Sequence, residues 1–154
     1  MKLRPLREED LPKCISMMLS SEPWITLRTK EEDARKSLVK GMREGKALVA
    51  EIGGKIAGFI VFYVTGAFPL GGYIGLLGVF PNFRGRGIGK ILLKTAEKEI
   101  FKSSINVFLL VSSFNRVAIT FYEKNGYQRV GEIPDAIVAG HSEIIMRKTL
   151  GPLR

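Results

Sequence analysis

The chain has 154 residues, of which 45% are hydrophobic and 25% charged, so we expect a single ordinary globular domain spanning residues 1–154. One cysteine and one histidine exclude an internal disulfide and argue against a metal site, and no apolar run is long enough to cross a bilayer, which together predict a cytoplasmic protein. The net charge of +9 is spread along the chain without any nucleic-acid recognition motif, so nucleic-acid binding is not expected, and attraction of a polyanionic ligand accounts for part of the excess.

The first half of the chain reads as a strand, two helices and a hairpin. Acidic residues at Glu8–Asp10 favour a helix start, and Thr29 is the expected N-cap of the second helix because Glu32 stands at capping-box distance. Glycines at 53 and 54 indicate a tight turn between two β-rich runs. The predicted elements are a strand at Lys2–Leu6, a helix from about Glu8 to Leu19, a helix from Thr29 to about Arg43, and strands at Ala47–Ile52 and Ile56–Val64.

The second half alternates strands and helices. Gly126 follows the last predicted helix and suits a left-handed helix stop. The whole order, β-α-α-β-β-β-α-β-α-β-β, implies an α/β (α+β) fold with a mixed sheet and helices on both faces. The predicted elements are strands at Tyr73–Val79, Asn106–Val111, Tyr127–Gly131 and Glu143–Thr149, and helices at Ile88–Phe101 and Arg116–Asn125.

The segment from Arg84 to Lys90 carries three glycines and opens the third predicted helix. Such a turn frees several backbone N–H groups where the helix dipole adds positive charge, which predicts a phosphate or pyrophosphate site. A P-loop would need glycine where Arg84 stands, and Ser or Thr where Ile91 follows Lys90. A dinucleotide fingerprint would need a third glycine at Lys90. Both nucleotide patterns therefore fail.

The remaining pattern, R-x-x-G-x-G at Arg84, Gly87 and Gly89, resembles the acetyl-CoA pyrophosphate loop of the GCN5-related N-acetyltransferases, the GNAT family. Downstream, Asn115 to Tyr127 is similar to the N-x-x-A-x-x-F-Y-x-x-x-G-[FY] signature of the same family. The resemblance covers nearly the whole chain. It implies the acyl-CoA N-acyltransferase fold, with a mostly antiparallel sheet of six or seven strands and about four helices.

The resemblance also implies how acetyl-CoA is bound. The backbone at Leu77, Gly78 and Val79 is expected to pair with the pantetheine arm. Asn115 is expected to bond the same arm, although an N-cap role explains an Asn at this position equally well. The pyrophosphate is expected on the amides of Arg86, Gly87, Ile88, Gly89 and Lys90, with the Arg84 and Arg86 side chains either touching phosphates or lining the mouth.

Further roles follow for catalysis. In the family, the N–H of the residue at Val79 stabilises the oxyanion, and the tyrosine at Tyr122 protonates the departing thiolate. Trp24 and Tyr73 are expected to contact the acceptor. Many relatives carry a glutamate where this chain has Gly75, so the general base stays open. The substitutes considered are Tyr73, His141, Glu22 and Glu51.

The sequence therefore predicts an acetyl-CoA-dependent N-acetyltransferase without a metal, in which a small-molecule or protein amine attacks the thioester directly. No acyl-enzyme is expected, because Cys14 is far in sequence from both motifs. We expect a monomer or a homodimer. A non-catalytic acyl-CoA-binding module is the first alternative, because of Gly75, and a basic nucleic-acid-binding protein is the second.

Overall fold

A computed structural model, which describes residues 1–154, contains seven strands and four helices in the predicted order. The boundaries agree with the predictions to within three residues at almost every element. The strands are β1 (Lys2–Pro5), β2 (Lys46–Ile52), β3 (Lys55–Ala67), β4 (Gly71–Val79), β5 (Asn106–Ser112), β6 (Gln128–Ile133) and β7 (Glu143–Thr149), and the helices are α1 (Leu11–Leu19), α2 (Glu31–Glu44), α3 (Ile88–Ile100) and α4 (Arg116–Lys124).

All seven strands form one sheet in the order β1-β2-β3-β4-β5-β7-β6. Every neighbouring pair is antiparallel except β4 and β5, which run parallel. The prediction of a mixed, mostly antiparallel sheet is therefore confirmed. The parallel pair is short, because it joins only Gly72–Ile74 to Val107–Leu109.

The helices cover the two faces of the sheet and give it two cores. The buried residues of α3 and α4 pack with those of β3, β5 and β7, whereas the residues of α1 and α2 pack with the opposite faces of β2 and β3. Alternation along each strand separates the two sets, so that Ile60 and Phe62 face α3 while Phe59 and Val61 face α1 and α2. No helix of the fold has the length and apolar composition needed to span a bilayer.

The start of the second helix differs from the prediction. The N-cap is Lys30 rather than Thr29, and the reciprocal bond comes from Asp33, whose Oδ2 accepts the Lys30 N–H at 3.0 Å. Glu32 and Asp33 are adjacent acidic residues, and either one can close a capping box, at helix starts one residue apart. The prediction of Thr29 as the N-cap was wrong, because Asp33 holds the helix start one residue later.

A buried carboxylate ties α3 to the β6–β7 arm. Glu97 is 3% exposed, and it accepts hydrogen bonds from the Tyr127 hydroxyl and the Lys148 ammonium, both at 2.9 Å. Tyr127 comes directly after α4 and its left-handed stop at Gly126, where φ is +94°. The pair of bonds satisfies a buried charge and fixes where α4 ends relative to α3.

Candidate active site

A gap opens where β4 and β5 stop pairing. Beyond Ile74 and Leu109 the two strands share no ladder, yet β4 stays paired with β3 up to Val79 and β5 stays paired with β7 along its whole length. Each strand is thus held on its outer side while its inner edge is free. Such a free edge can accept an extended ligand as a substitute strand.

A β-bulge marks the point where the gap begins. Val61 of β3 pairs with Leu76 and the next residue, Phe62, pairs with Ile74, so Gly75 has no partner. The extra residue turns the strand locally and changes the direction of its later backbone groups. The glycine that replaces the glutamate of many relatives is therefore the bulged residue itself.

The backbone N–H and carbonyl groups of Leu77 and Val79 point into the gap. Phe80 donates its N–H to the Ala57 carbonyl of β3 at 2.8 Å. The backbone groups of successive strand residues point in alternate directions, so those of Val79 and Leu77 point away from β3. The Val79 carbonyl agrees with this, because it accepts a bond from the Arg84 side chain and not from β3.

Gly78 was predicted, with Leu77 and Val79, to offer its backbone to the ligand, but its backbone groups face the other way. They face β3, where Gly78 pairs with Phe59, so Gly78 offers no donor to the gap. A Cβ atom at this position would lie 2.7 Å from the terminal methyl of Met17 and 2.9 Å from the ring of Phe59. Glycine at this position therefore lets α1 pack closely against β4.

The glycine loop presents a run of unused donors. The N–H groups of the six residues from Gly85 to Lys90 make no hydrogen bond within the protein, and the first bonded amide is that of Ile91, which donates to Gly87 O at 3.1 Å. Gly87 is the N-cap of the 13-residue α3 with φ +80°, and a Cβ there would meet nothing within 4 Å. Free donors at a helix N-terminus are suited to bind an anion from solvent, as the sequence predicts.

The structure separates the two arginines that the sequence could not rank. The Arg84 guanidinium forms hydrogen bonds within the protein, since its Nε donates to Val79 O at 3.0 Å and its Nη2 to Ser21 Oγ at 3.3 Å. These bonds connect the end of β4 to the end of α1. Arg86 lies over the Phe83 ring at 5.3 Å and forms no ion pair, and neither does Lys90. Arg86 and Lys90 are therefore the cations that the loop leaves uncompensated.

A cavity of about 410 Å³ lies at the gap and extends toward the segment between α1 and α2. It brings together four of the predicted site residues, namely Trp24, Leu77, Asn115 and Tyr122. Tyr73 is not among its lining residues, since its ring stacks on Tyr63 with centroids 4.6 Å apart. The lining also includes Leu27, Asp33, Leu76, Leu110, Ser112, Ile137 and Glu143.

Tyr122 is buried but its hydroxyl is free. The residue is 8% exposed, and its hydroxyl forms no hydrogen bond within the protein. The hydroxyl still has some access to solvent, because Asn106 Oδ1 is the only side-chain polar atom that is both fully buried and without a partner. Burial raises the pKa of Tyr122, so the group stays protonated at neutral pH. A packed structural tyrosine looks different: the Tyr127 hydroxyl donates to Glu97.

Asn115 caps α4 through its side-chain oxygen and keeps its side-chain amide donor free. Its Oδ1 caps α4 by accepting the Ala118 N–H at 3.3 Å, which confirms the N-cap. Its Nδ2 has no acceptor within the protein, and the residue lines the cavity. The amide donor is thus available to a ligand in the gap.

None of the four substitutes for the missing base lines the cavity. Tyr73 stacks on Tyr63, Glu51 pairs with Arg4 near the β1 edge, Glu22 bonds Thr26, and His141 packs against the Phe114 ring. The acidic residues that do line it are Asp33 and Glu143. Sequence reasoning missed Glu143 because a charged first residue of a strand usually faces solvent, and only the pairing of β7 with β5 brings it to the cavity.

A seven-stranded mixed sheet, split between its two parallel strands beside a glycine loop that opens a helix, defines the acyl-CoA N-acyltransferase fold. The sequence profile of the Acetyltransferase (GNAT) family matches residues 9–127, and the chain belongs to this family. An acetyltransferase of Pectobacterium atrosepticum is 31% identical over 140 residues, which cover 84% of this chain and 89% of that protein.

Solved structures agree on the fold. An aminoglycoside 6'-N-acetyltransferase complexed with coenzyme A superposes with a TM-score of 0.77 at 21% identity, covering 100% of this chain and 99% of that one. The ribosomal-protein-S18-alanine N-acetyltransferase of Escherichia coli superposes with a TM-score of 0.78 at 18% identity, covering 99% and 96%.

Replacing Gly87 by valine tests the anion site. Valine at φ +80° is strained, and relief of that strain would shift the run of free amides, so we expect acetyl-CoA affinity to fall about tenfold to a hundredfold. Calorimetric titration measures the change. Gly54→Val in the β2–β3 turn is the matched control, because its φ of +77° and open surroundings impose the same backbone strain far from the loop. Equal affinity of the two variants would contradict the assignment.

Two substitutions separate the roles of Asn115. Asn115→Ser keeps a good N-cap but removes the amide donor, so we expect an unchanged melting temperature and an acetyl-CoA affinity lowered about twofold to tenfold. Asn115→Ala loses the cap as well and should cost about 1 kcal/mol of stability. Thermal melts and calorimetry distinguish them, and a serine variant that binds like wild type would leave Asn115 with the capping role alone.

Proposed function

We propose that the protein transfers an acetyl group from acetyl-CoA to a primary amine by direct attack in a ternary complex. Membership of the GNAT family supports acetyl transfer in general. Direct transfer to an amine is supported by the cavity at the gap, which joins an unpaired strand edge to the buried hydroxyl of Tyr122, a group that forms no hydrogen bond within the protein. Binding and proton donation are thereby available at one place.

In this proposal acetyl-CoA occupies the loop and the gap together. The amides from Arg86 to Lys90 hold the pyrophosphate, and Arg86 and Lys90 add full positive charges. The pantetheine arm then runs along the inner edge of β4 and bonds the backbone groups that Leu77 leaves unused, while the Nδ2 of Asn115 donates to the arm from α4. The N–H of Val79 is kept for the thioester at the end of the arm. The arm replaces the missing part of the ladder between β4 and β5.

The chemistry requires stabilisation of an oxyanion and protonation of a thiolate. When the amine attacks the thioester carbon, negative charge develops on the carbonyl oxygen, and the N–H of Val79 is our proposed donor for it. The peptide that carries this N–H is held by the pairing of Gly78 with Phe59 of β3, and the following peptide is held by the bond from the Arg84 Nε to the Val79 carbonyl. No reorganisation is therefore needed as the charge forms. Collapse of the intermediate breaks the C–S bond, and Tyr122 gives its proton to the sulfur.

No cysteine lines the cavity, so a covalent acyl-enzyme has no thiol nucleophile there. Cys14 is fully buried in α1 and is absent from the lining, and burial raises the pKa of its thiol to about 12. Ser112, the only hydroxyl on the β5 side of the gap, has its proton engaged by Glu143 at 2.6 Å. Both facts support direct attack by the amine.

The acceptor side of the cavity is apolar with two carboxylates. Trp24, Leu27, Leu110 and Ile137 supply apolar surface, while Asp33 and Glu143 supply negative charge. We propose that the acceptor is an amine attached to an apolar group, with Trp24 packed against it. The two solved relatives are named for different amines, an aminoglycoside and a ribosomal-protein alanine, so the fold by itself does not choose between small-molecule and protein acceptors.

A thiol-release screen with several acyl-CoAs and a broad panel of amines tests the activity. We expect acetyl-CoA turnover that depends on one class of amine, with amines next to apolar groups preferred. Tight acetyl-CoA binding without turnover on any amine would instead support the non-catalytic acyl-CoA-binding module. That alternative draws on one observation, the glycine at position 75.

Tyr122→Phe tests the acid. Loss of the hydroxyl should lower kcat about tenfold to a thousandfold and leave acetyl-CoA affinity unchanged, because only the transition state uses the proton. The matched control is Tyr127→Phe, which removes the hydroxyl bonded to Glu97 and should cost stability but not the chemical step. Steady-state kinetics with calorimetry check both, and a Tyr122→Phe enzyme of full kcat would assign the proton donor elsewhere.

A further inference from the structure

Glu143 is a buried carboxylate that no cation compensates. It is 4% exposed, and one oxygen, Oε2, accepts a hydrogen bond from Ser112 Oγ at 2.6 Å. The other oxygen, Oε1, receives no hydrogen bond from the protein. It is also not fully buried, because Asn106 Oδ1 is the only fully buried side-chain polar atom without a partner, so Oε1 reaches the cavity that the residue lines. Glu143 takes part in no ion pair.

Glu97 shows what a structural buried carboxylate looks like in this fold. With similar burial, it accepts bonds from Tyr127 and Lys148 and is approached by Lys94. Glu143 has a single neutral donor instead. A buried charge without a counter-ion costs stability, so a position that keeps one in a cavity is a candidate for function.

The sheet places Glu143 and Tyr122 on opposite sides of the gap. Ile144 and Met146 of β7 belong to the core beneath α3 and α4, so alternation turns Glu143 to the other face, where Trp24 lies. Tyr122 belongs to the α3–α4 side. A thioester lying in the gap would thus have a proton donor on one face and a carboxylate on the other.

The surroundings of Glu143 keep its carboxyl available for proton transfer. The titratable groups on the neighbouring elements are His141 in the preceding loop, Glu132 on β6, Asp33 on α2 and Arg147 further along β7. None of them shifts the pKa of Glu143, which burial raises above its ordinary value while the Ser112 hydroxyl lowers it in part. A carboxyl with a raised pKa is a stronger base than an exposed one once it is ionised.

We propose that Glu143 is the proton acceptor for the attacking amine, with Ser112 orienting its carboxylate. A neutral amine attacks the thioester carbon and becomes a substituted ammonium, the Glu143 carboxylate takes one proton from that nitrogen, and the C–S bond breaks as Tyr122 protonates the sulfur. The products are the amide and free CoA, and the proton on Glu143 returns through water to the Tyr122 phenolate. An amine that arrives as an ammonium ion first releases one proton to solvent. This inference rests on the proposed acetyl transfer.

The test is the pH dependence of kcat in Glu143→Gln. For the wild type we expect kcat to rise with pH as Glu143 ionises and then to level off, because the protonated carboxyl cannot accept a proton. The variant should lose that limb and about tenfold to a thousandfold of kcat at neutral pH, with acetyl-CoA affinity unchanged. Two amines of different pKa are compared. A rise in kcat that is due to Glu143 occurs at the same pH with both amines, whereas a rise that is due to the amine shifts with the pKa of the amine. Glu132→Gln, an exposed carboxylate on β6, is the matched control and should behave as wild type.

Ser112→Ala gives a second reading that does not depend on the first variant folding. The Ser112 hydroxyl favours the charged carboxylate, so its removal should move the limb to higher pH while the activity on the plateau persists. A purely structural role for the pair would lower stability without moving the limb.

The outcomes separate this inference from the proposed function. Wild-type protein that acetylates no amine overturns both. An active wild type whose Glu143→Gln variant keeps its limb and its kcat overturns the role of Glu143 alone. A variant with a raised amine KM, an unchanged kcat and an unchanged pH profile would make Glu143 a binding group for the ammonium ion, which also overturns the proton-acceptor role.

Discussion

The early end of the pairing between β4 and β5 is the constraint on which the rest of the site depends. Three residues on each strand form the parallel ladder, and beyond them the strands diverge while β3 and β7 hold their outer edges. Unpaired backbone groups are costly when they are buried without water. Here Leu77 of β4 and Leu110 of β5 line a cavity, so the free strand edges are open to water and to an extended ligand that enters. The gap is therefore part of the folded state and needs no local unfolding to form.

Three local features fix the position of this gap. The bulge at Gly75 turns β4 just past the last paired residue. The close approach of Gly78 to Met17 and Phe59 holds the strand against α1, and Arg84 connects the Val79 carbonyl to Ser21 at the end of α1. Arg84 begins the glycine loop, so the loop and the gap share one anchor. The position of the anion site relative to the strand edge is thereby set by the fold itself.

The sequence predicted what is encoded locally. The glycine loop and the Asn115–Tyr127 signature are contiguous, so their helix starts, caps and stops could be identified from neighbouring residues, and the order of strands and helices followed from periodicity. The bulge at Gly75, the inward use of Arg84 and the burial of Glu143 depend on register between strands far apart in the chain. The alternation of side chains along β7 does not by itself show which face of the sheet Glu143 occupies. That face depends on the register of β7 with its neighbours β5 and β6, which the sequence does not reveal.

The distribution of charge along the gap follows from the same arrangement. The protein carries nine excess positive charges, yet the uncompensated cations Arg86 and Lys90 stand at the glycine loop, whereas the acceptor side of the cavity carries Asp33 and Glu143. A basic surface attracts a polyanionic thioester but repels a cationic amine. Carboxylates on the acceptor side reverse that repulsion locally, and in our proposal one of them, Glu143, also takes the proton that the nitrogen loses after it attacks the thioester. In our proposal, the distance between the cations of the glycine loop and the carboxylates of the cavity lets two substrates of opposite charge meet at the same carbon atom.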